Sequence, residues 1–290
     1  MDLLRLSAPG DLETAPLICG LDRPPWNELV SLDVTTDPRS AAAALDRGDL
    51  DAALLPSHLV AERARRLEIV PGLAVTSRGA CGTAVLWHRR PLRELRVVKS
   101  LSPGHSGEML IKLLFAASGH ALEIEPSQPE NVSVCGAPEA DALLAAGTPA
   151  RLLDPEAPES NGIRLGPEWE RLDLGAAWKE LVALPFVWHL WAARPGCIDR
   201  QIYGMLHSAR TLGRRRGEDL AAEFENQHGG NRAKLLDVLN SRLRYRLGNN
   251  ELAGLRRFWE EGRRWRLFPA PGPPRLVPLS GSSPCGRERQ

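Results

Sequence analysis

The sequence predicts an α/β protein of two lobes, with a ligand-binding cleft between them and a helical C-terminal part. Short apolar runs alternate with helix-forming segments over residues 1–190, which is typical of sheets covered by helices. Polar or glycine-rich turns follow several of the predicted strands, as in ligand-binding clefts of such proteins. After Pro195 the apolar residues recur at helical spacing, so we expect the chain to end in helices.

The first elements follow from local signals. Residues 3–6 predict a short strand, and a loop then leads into a helix that begins around residues 14–16. A proline suits that first turn, because its missing N–H has no helical partner there. Ser40–Arg47 predicts a helix with Ser40 as its N-cap and the following glycine as its end. Asp51–Leu55 predicts a buried strand that stops at the next proline.

The remaining elements are predicted by the same patterns. Strands are expected at Ile69–Val75, Thr83–Trp87, Leu95–Val98, Asp141–Leu144 and Leu184–Ala192. Helices are expected at Glu108–Ser118 and around the apolar residues of 198–212, 220–224, 235–243 and 252–259. Residues 154–168 are rich in Pro, Glu and Gly and predict a surface loop. Residues 269–290 are rich in Pro, Gly and Ser and predict a disordered tail.

Composition argues against several classes of protein. Lys and Arg number 37, Asp and Glu number 36, and the net charge is +1, which disfavours a basic nucleic-acid-binding protein. The sequence contains no uncharged apolar run that is long enough to span a membrane and no segment with the pattern of a signal peptide. The five cysteines form no CxxC pair, which favours a reducing compartment. We therefore expect a cytoplasmic protein that binds neither nucleic acid nor a membrane.

Common catalytic motifs are missing from the sequence. It contains no GxGxxG, GxxxxGK[ST], HExxH or GxSxG pattern. The seven histidines show no spacing typical of metal ligands, so no metal site is predicted. The segments at strand ends that stand out are Glu13–Leu17, Leu55–His58, Ser77–Thr83 and Ser102–Gly107. Such segments supply the hydroxyls, N–H groups and cations of a carboxylate-binding cleft, although the same residue types are common in ordinary turns.

One long motif resembles a known family. Residues 172–194 read LDLGAAWKELVALPFVWHLWAAR. They resemble the DLGxxWxxxTGLPFVxAxWxAR signature of the menaquinone-biosynthesis proteins of the futalosine route, typified by chorismate dehydratase. Further segments that resemble the family in order and spacing are Leu12–Leu21, Gly48–Ser57, Ile69–Leu86 and Leu243–Phe258. The resemblance covers about residues 3–268.

The resemblance implies both a fold and a reaction. The fold is that of a type 2 periplasmic-binding protein, with residues 1–93 and 189–268 in lobe 1 and residues 94–188 in lobe 2. The reaction is that of a carbon–oxygen lyase, which converts chorismate to 3-[(1-carboxyvinyl)oxy]benzoate and water without a metal or redox cofactor. The implied partner is a small anionic substrate. The number of subunits stays open, a homodimer included.

The matching motifs also imply candidate site residues. Glu13 is the candidate base or polar orienting group, and Thr83 is the candidate group that holds the substrate or the leaving group. The candidate substrate-binding residues are Thr14, Ser57, Ser77, Arg78, Gly79, Lys99, Ser102, His105, Ser106 and Thr148. A base near C3 and a donor for the departing C4 hydroxyl suffice for this reaction, because aromatisation drives it.

Several of these positions depart from the family pattern. Glu13 stands where the family has Asn, Thr83 where it has Ser, and Lys99 where it has Asp. A carboxylate at position 13 repels a dianionic substrate unless a cation such as Arg78, Lys99 or His105 offsets its charge. The ligand or the activity of this chain can therefore differ from that of the family.

Two alternative functions stay open. The first is that of a sister enzyme similar to 1,4-dihydroxy-6-naphthoate synthase, in which His105 or His58 would be the base. The second is that of a non-catalytic module that binds a small carboxylate. Replacement of His105 separates the first alternative from the dehydratase, because it should abolish turnover where His105 is the base and only weaken binding in a dehydratase.

Overall fold

The structure is a computed structural model that describes residues 3–35, 37–127, 140–152, 165–269 and 272–278. The strands are β1 (Leu4–Pro9), β2 (Val30–Thr35), β3 (Ala52–Pro56), β4 (Glu68–Ser77), β5 (Ala84–His88), β6 (Val97–Ser100), β7 (Glu123–Pro126), β8 (Ala142–Ala146), β9 (Glu170–Asp173), β10 (Phe186–Ala193) and β11 (Leu243–Arg244). The helices are α1 (Ala15–Ile18), α2 (Pro38–Arg47), α3 (Ser57–Glu62), α4 (Ser106–Ala117), α5 (Thr148–Leu152), α6 (Leu174–Val182), α7 (Arg200–Arg215), α8 (Gly217–His228), α9 (Arg232–Asp237) and α10 (Asn249–Arg264).

The strands form two mixed sheets. The first sheet has the order β11-β4-β10-β3-β1-β2, and the second has the order β7-β6-β8-β5-β9. In the first sheet β1 is parallel to β2 and β3, whereas β10 is antiparallel to β3 and β4. In the second sheet β6 is parallel to β7 and β8, whereas β5 is antiparallel to β8 and β9. The chain therefore crosses between the sheets twice, after β4 and after β9.

The crossings differ from the lobe bounds given by the resemblance, which fall at residues 93/94 and 188/189. Ala84–His88 pairs with β8 and β9 of the second sheet, and Phe186–Ala193 pairs wholly in the first. An apolar run shows that a strand is buried but not which strand it pairs with, because pairing depends on residues far away in the sequence. The division into two lobes stays a proposal, with its bounds moved to the segments after Ser77 and after Asp173.

The central strand β10 fixes the middle of the molecule. All eight of its residues are buried. The Phe186 ring packs against Trp178 of α6 and Phe258 of α10, with ring centroids 5.5 and 4.9 Å apart. Full burial of one large apolar side chain contributes about 1.5–3 kcal/mol. This packing therefore holds the neighbouring residues Trp188 and His189 in place.

Two predicted helix boundaries are wrong. The N-cap of α2 is Asp37 rather than Ser40, because the Asp37 side chain accepts the N–H of Arg39 and a proline follows it. Leu243 does not continue a helix. A π-helical turn over Val238–Arg242 precedes it, and Leu243 then pairs with β4.

Part of the segment predicted to be a disordered tail lies along β4. The N–H of Ile69 donates to the carbonyl of Arg275 at 2.7 Å, and the N–H of Val277 donates to the carbonyl of Ile69 at 2.9 Å. Val277 is buried, so residues 272–278 differ from the prediction. Pairing with a strand satisfies their backbone groups, which composition does not reveal. Residues 270–271 and 279–290 lie outside the described residues, as do residues 153–164 of the predicted loop and its approach.

No helix in the described ranges is long and apolar enough to cross a membrane.

Candidate functional site

Hydroxyls from both sheets meet at the first residues of α3 and α4. Ser57 follows β3 of the first sheet and Ser106 follows β6 of the second, and their Oγ atoms lie 3.2 Å apart. Ser106 Oγ donates to the carbonyl of Trp188 at 3.1 Å, and Nδ1 of His58 lies 3.4 Å from the same oxygen. Because Ser106 has one proton, Ser57 and His58 are the donors to it. Two predicted residues, Ser57 and Ser106, are thus brought together.

A carboxylate and two imidazoles lie beside these hydroxyls. Glu13, which is 1% exposed, lies in the turn between β1 and α1. Its Oε1 is 3.8 Å from Nε2 of His105. The ring of His189 contacts that of His105 edge-on, with centroids 5.2 Å apart. The structure therefore brings Glu13 and His105 together, as expected of residues in one site.

Sequence analysis missed His189, which lies within an apolar run. The signal was present in the motif, because His189 stands where the family signature has Ala. Burial lowers the pKa of His189 well below its ordinary value, and repulsion from His105 and His58 adds to this effect. Burial also lowers the pKa of His58 to about 3, helped by repulsion from His105 and two arginines. Both His58 and His189 are therefore uncharged at neutral pH.

The orientation of His105 fixes where its proton lies. The turn before it contains Gly104, whose φ of 82° suits glycine, and His105 is the N-cap of α4. Its Nδ1 accepts the N–H of Gly107 at 3.0 Å. A ring nitrogen that accepts a hydrogen bond has no proton, so the neutral ring has its proton on Nε2. Nε2 is buried and has no hydrogen-bond partner among the described residues.

Glu13, His105 and His189 also have the composition of a metal site. One ligand atom from each of Glu13, His105 and His189 lies within 4.8 Å of the others, and two histidines with a carboxylate form a common zinc or iron ligand set. A metal-bound histidine donates its other ring N–H to the protein, whereas Nδ1 of His105 accepts a hydrogen bond from Gly107. The residues fit a hydrogen-bonding site better than a metal site. That the protein needs no metal stays a prediction.

Two predicted hydroxyls are engaged by the protein itself. Thr14 Oγ1 donates to the carbonyl of Pro9 at 2.7 Å, which stabilises the turn that carries Glu13. Ser77 Oγ accepts the indole N–H of Trp188 at 3.0 Å. Both side chains support the site's framework. Their predicted contact with the substrate remains untested.

Two residues near the end of β6 also have partners elsewhere. Lys99 pairs with Glu125 on the neighbouring strand β7. Its charge is therefore directed at Glu125 and not, as the sequence analysis expects, at Glu13. Ser102 Oγ donates to the carbonyl of Ala146 at 2.7 Å and accepts the N–H of the same residue at 2.9 Å. These contacts join β6 to β8.

The turn after β4 is organised by Asp173. The N–H groups of Cys81 and Gly82 donate to its carboxylate at 3.1 and 2.8 Å. The sequence analysis expects such N–H groups to bind an anionic ligand, but these two already have an acceptor. Arg78 is exposed. Gly79 has a φ of 112°, in the region that favours glycine. Its contribution is backbone conformation.

The last two predicted residues lie near the start of α5. The carbonyl of Thr83 accepts the N–H of Gly147 at 2.8 Å, and Thr83 is buried. Thr148 donates both its N–H and its hydroxyl to Oδ1 of Asp11, at 3.0 and 2.8 Å. Because Asp11 follows β1, this contact joins the two sheets close to Glu13.

Two mixed sheets joined by two crossings of the chain, with polar side chains of both halves in contact, are the features of a periplasmic-binding-protein fold. A solved protein from Archaeoglobus fulgidus superposes with a TM-score of 0.69 at 14% identity, covering 91% of this chain and 98% of that one. The periplasmic aliphatic sulphonate binding protein from Escherichia coli does so with a TM-score of 0.61 at 15% identity, covering 99% and 98%. The predicted fold class is confirmed.

Sequence comparison then gives the family. Residues 4–264 match the menaquinone biosynthesis family, and the chain belongs to it. The chorismate dehydratase of Thermus thermophilus is 26% identical over 259 residues, which cover 84% of this chain and 94% of that protein. The resemblance stated from the motifs is confirmed.

Proposed function

We propose that this protein is a lyase that removes water from chorismate to form 3-[(1-carboxyvinyl)oxy]benzoate in menaquinone biosynthesis. The observation that carries the proposal is the buried pair of the Glu13 carboxylate and the His105 Nε2–H group, 3.8 Å apart. A carboxylate can take the proton from C3, and an adjacent N–H can hold the oxygen that leaves C4. Membership of the family and the related chorismate dehydratase support the same reaction.

The orientation of His105 favours the dehydratase over the sister enzyme. A histidine base needs an unprotonated ring nitrogen that faces the substrate. The unprotonated nitrogen of His105 faces the N–H of Gly107, and its N–H group faces Glu13. This arrangement suits His105 as a hydrogen-bond donor to the substrate rather than as a base. A cytoplasmic location fits a biosynthetic role and, like a homodimer, stays a prediction.

Turnover by the purified full chain tests the proposal. Incubation with chorismate should give a product lighter by one water, detected by mass spectrometry. Glu13→Gln should lower the rate by about 100-fold or more, because removal of a general base has effects of that size. Glu94→Gln, at an exposed position, is the matched control and should keep full activity. A folded protein that binds chorismate tightly without turnover would contradict the proposal and support a binding module.

A further inference from the structure

The cluster around His105 places a proton acceptor and a proton donor side by side. The Glu13 carboxylate and the Nε2–H of His105 lie 3.8 Å apart, within reach of two neighbouring atoms of one ring. Nε2 has no hydrogen-bond partner among the described residues, so its N–H group is free for a ligand oxygen. A buried donor without a partner is costly, and such groups are commonly kept for a ligand.

We infer that Glu13 and His105 act on one face of the substrate ring, with Glu13 moving a proton from C3 to the departing hydroxyl and His105 holding that hydroxyl through its Nε2–H group. The role in turnover rests on the proposed function, whereas the position of the proton on His105 does not. In chorismate the two oxygen substituents on C3 and C4 are trans, so the C3 hydrogen and the C4 hydroxyl share one face. Groups on one side of the cleft can therefore reach both.

The step balances with no other reactant. The Glu13 carboxylate takes the C3 proton, and the electron pair of that C–H bond spreads toward the ring carboxylate. The C4–O bond then breaks as this pair forms the double bond that completes the aromatic ring. The leaving oxygen takes the proton back from Glu13 and departs as water. Glu13 is again a carboxylate, and His105 keeps its N–H throughout.

The surroundings of His105 favour a proton on Nε2 rather than on Nδ1. A proton on Nδ1 would face the N–H of Gly107 across 3.0 Å, and the start of α4 disfavours positive charge. The titratable groups that face the ring are Glu13 from the turn after β1, His58 from α3 and His189 from β10. Glu13 faces the Nε2–H group, whose positive end reduces the repulsion between this carboxylate and an anionic substrate, and the two histidines are uncharged and buried.

The protonation of His105 is measured directly by NMR on the full chain with ¹⁵N-labelled histidine. Long-range ¹H–¹⁵N correlation at about pH 8, where ordinary histidines are uncharged, should show a proton on Nε2 and none on Nδ1. The signal is assigned by its loss in His105→Asn. A proton on Nδ1 would overturn the inference. Loss of the Nε2–H signal on addition of one equivalent of zinc would also overturn it and indicate a metal site.

The turnover rate of the His105→Asn variant tests the role of His105 in the reaction. Asparagine is a good N-cap and keeps an acceptor for Gly107, but it is too short to reach Glu13. In place of the weaker binding that the sequence predicts for a dehydratase, we expect kcat to fall about 100-fold, as when one donor to a developing oxyanion is removed, with KM and thermal stability nearly unchanged. Activity equal to that of the unaltered chain would overturn the inference while leaving the proposed function intact. Failure of the unaltered chain to turn over chorismate would overturn the proposed function and, with it, the elimination.

Discussion

The helices α4 and α6 begin with different caps, and the difference separates an end that faces the candidate site from one that only supports the fold. At α6 the Asp173 carboxylate accepts the N–H groups of Gly175 and Ala176, together with two from the turn after β4. At α4 the imidazole of His105 accepts one N–H and directs its own N–H at Glu13. An ionised carboxylate cap only accepts hydrogen bonds, whereas an imidazole cap also presents a donor to a ligand.

The largest expected effect is on stability, at the α6 cap. Asp173→Ala leaves several buried N–H groups unpaired, each costing about 1–3 kcal/mol, and we expect a total loss of about 3 kcal/mol or more. Asp173→Asn keeps one acceptor oxygen and should lose less. Equilibrium denaturation measures both variants. Equal stability of Asp173→Ala and the unaltered chain would contradict the claim that the Asp173 cap stabilises the fold.

Acid should lower the stability of the protein through the buried histidines His58 and His189, which lie beside the α4 cap. The pKa of His58 falls from 6.5 to about 3 on folding, and that of His189 also falls. Between these values the unfolded chain binds more protons, so the free energy of unfolding should decrease as the pH falls from about 6.5 toward 3. Each such histidine contributes a slope of about 1.4 kcal/mol per pH unit. His58→Gln should reduce the slope by one proton, and an unchanged slope would contradict burial as its cause.

A smaller effect is expected where Asp11 joins the two sheets. Asp11→Ala removes the acceptor for both the N–H and the hydroxyl of Thr148, with a loss of about 1–2 kcal/mol in the free energy of unfolding. Asp11→Asn keeps an acceptor oxygen and is the matched control. Thermal unfolding compares the two. Identical melting temperatures would show that this contact contributes little to holding the sheets together.

Sequence analysis expects polar residues near strand ends to lie together, and the structure brings Glu13, Ser57, His105 and Ser106 into one cluster. Their contact with a substrate stays a prediction. The partner of a side chain was not foreseeable where it lies far along the chain. Lys99 was expected at the site but pairs with Glu125 of the adjacent strand.

His189 and β5 show two further limits of sequence analysis. His189 was hidden by the apolar residues around it, since a buried strand in the middle of a sheet shows no alternation of polar and apolar residues. The sheet to which β5 belongs depends on its pairing with β8 and β9. Neither partner is marked in the apolar run itself, so the sequence does not show that β5 pairs in the second sheet.

The near-complete screening of the site from water has a kinetic consequence. Glu13, Ser57, His58 and Ser106 are each at most 1% exposed, so a six-membered ring reaches them only after contacts such as Ser57–Ser106 have parted. Separations of this kind occur on the microsecond-to-millisecond scale. In the proposed reaction each turnover would therefore require one opening for substrate entry and one for product exit. The frequency of these openings would set an upper limit on kcat that no improvement of the proton transfer could raise.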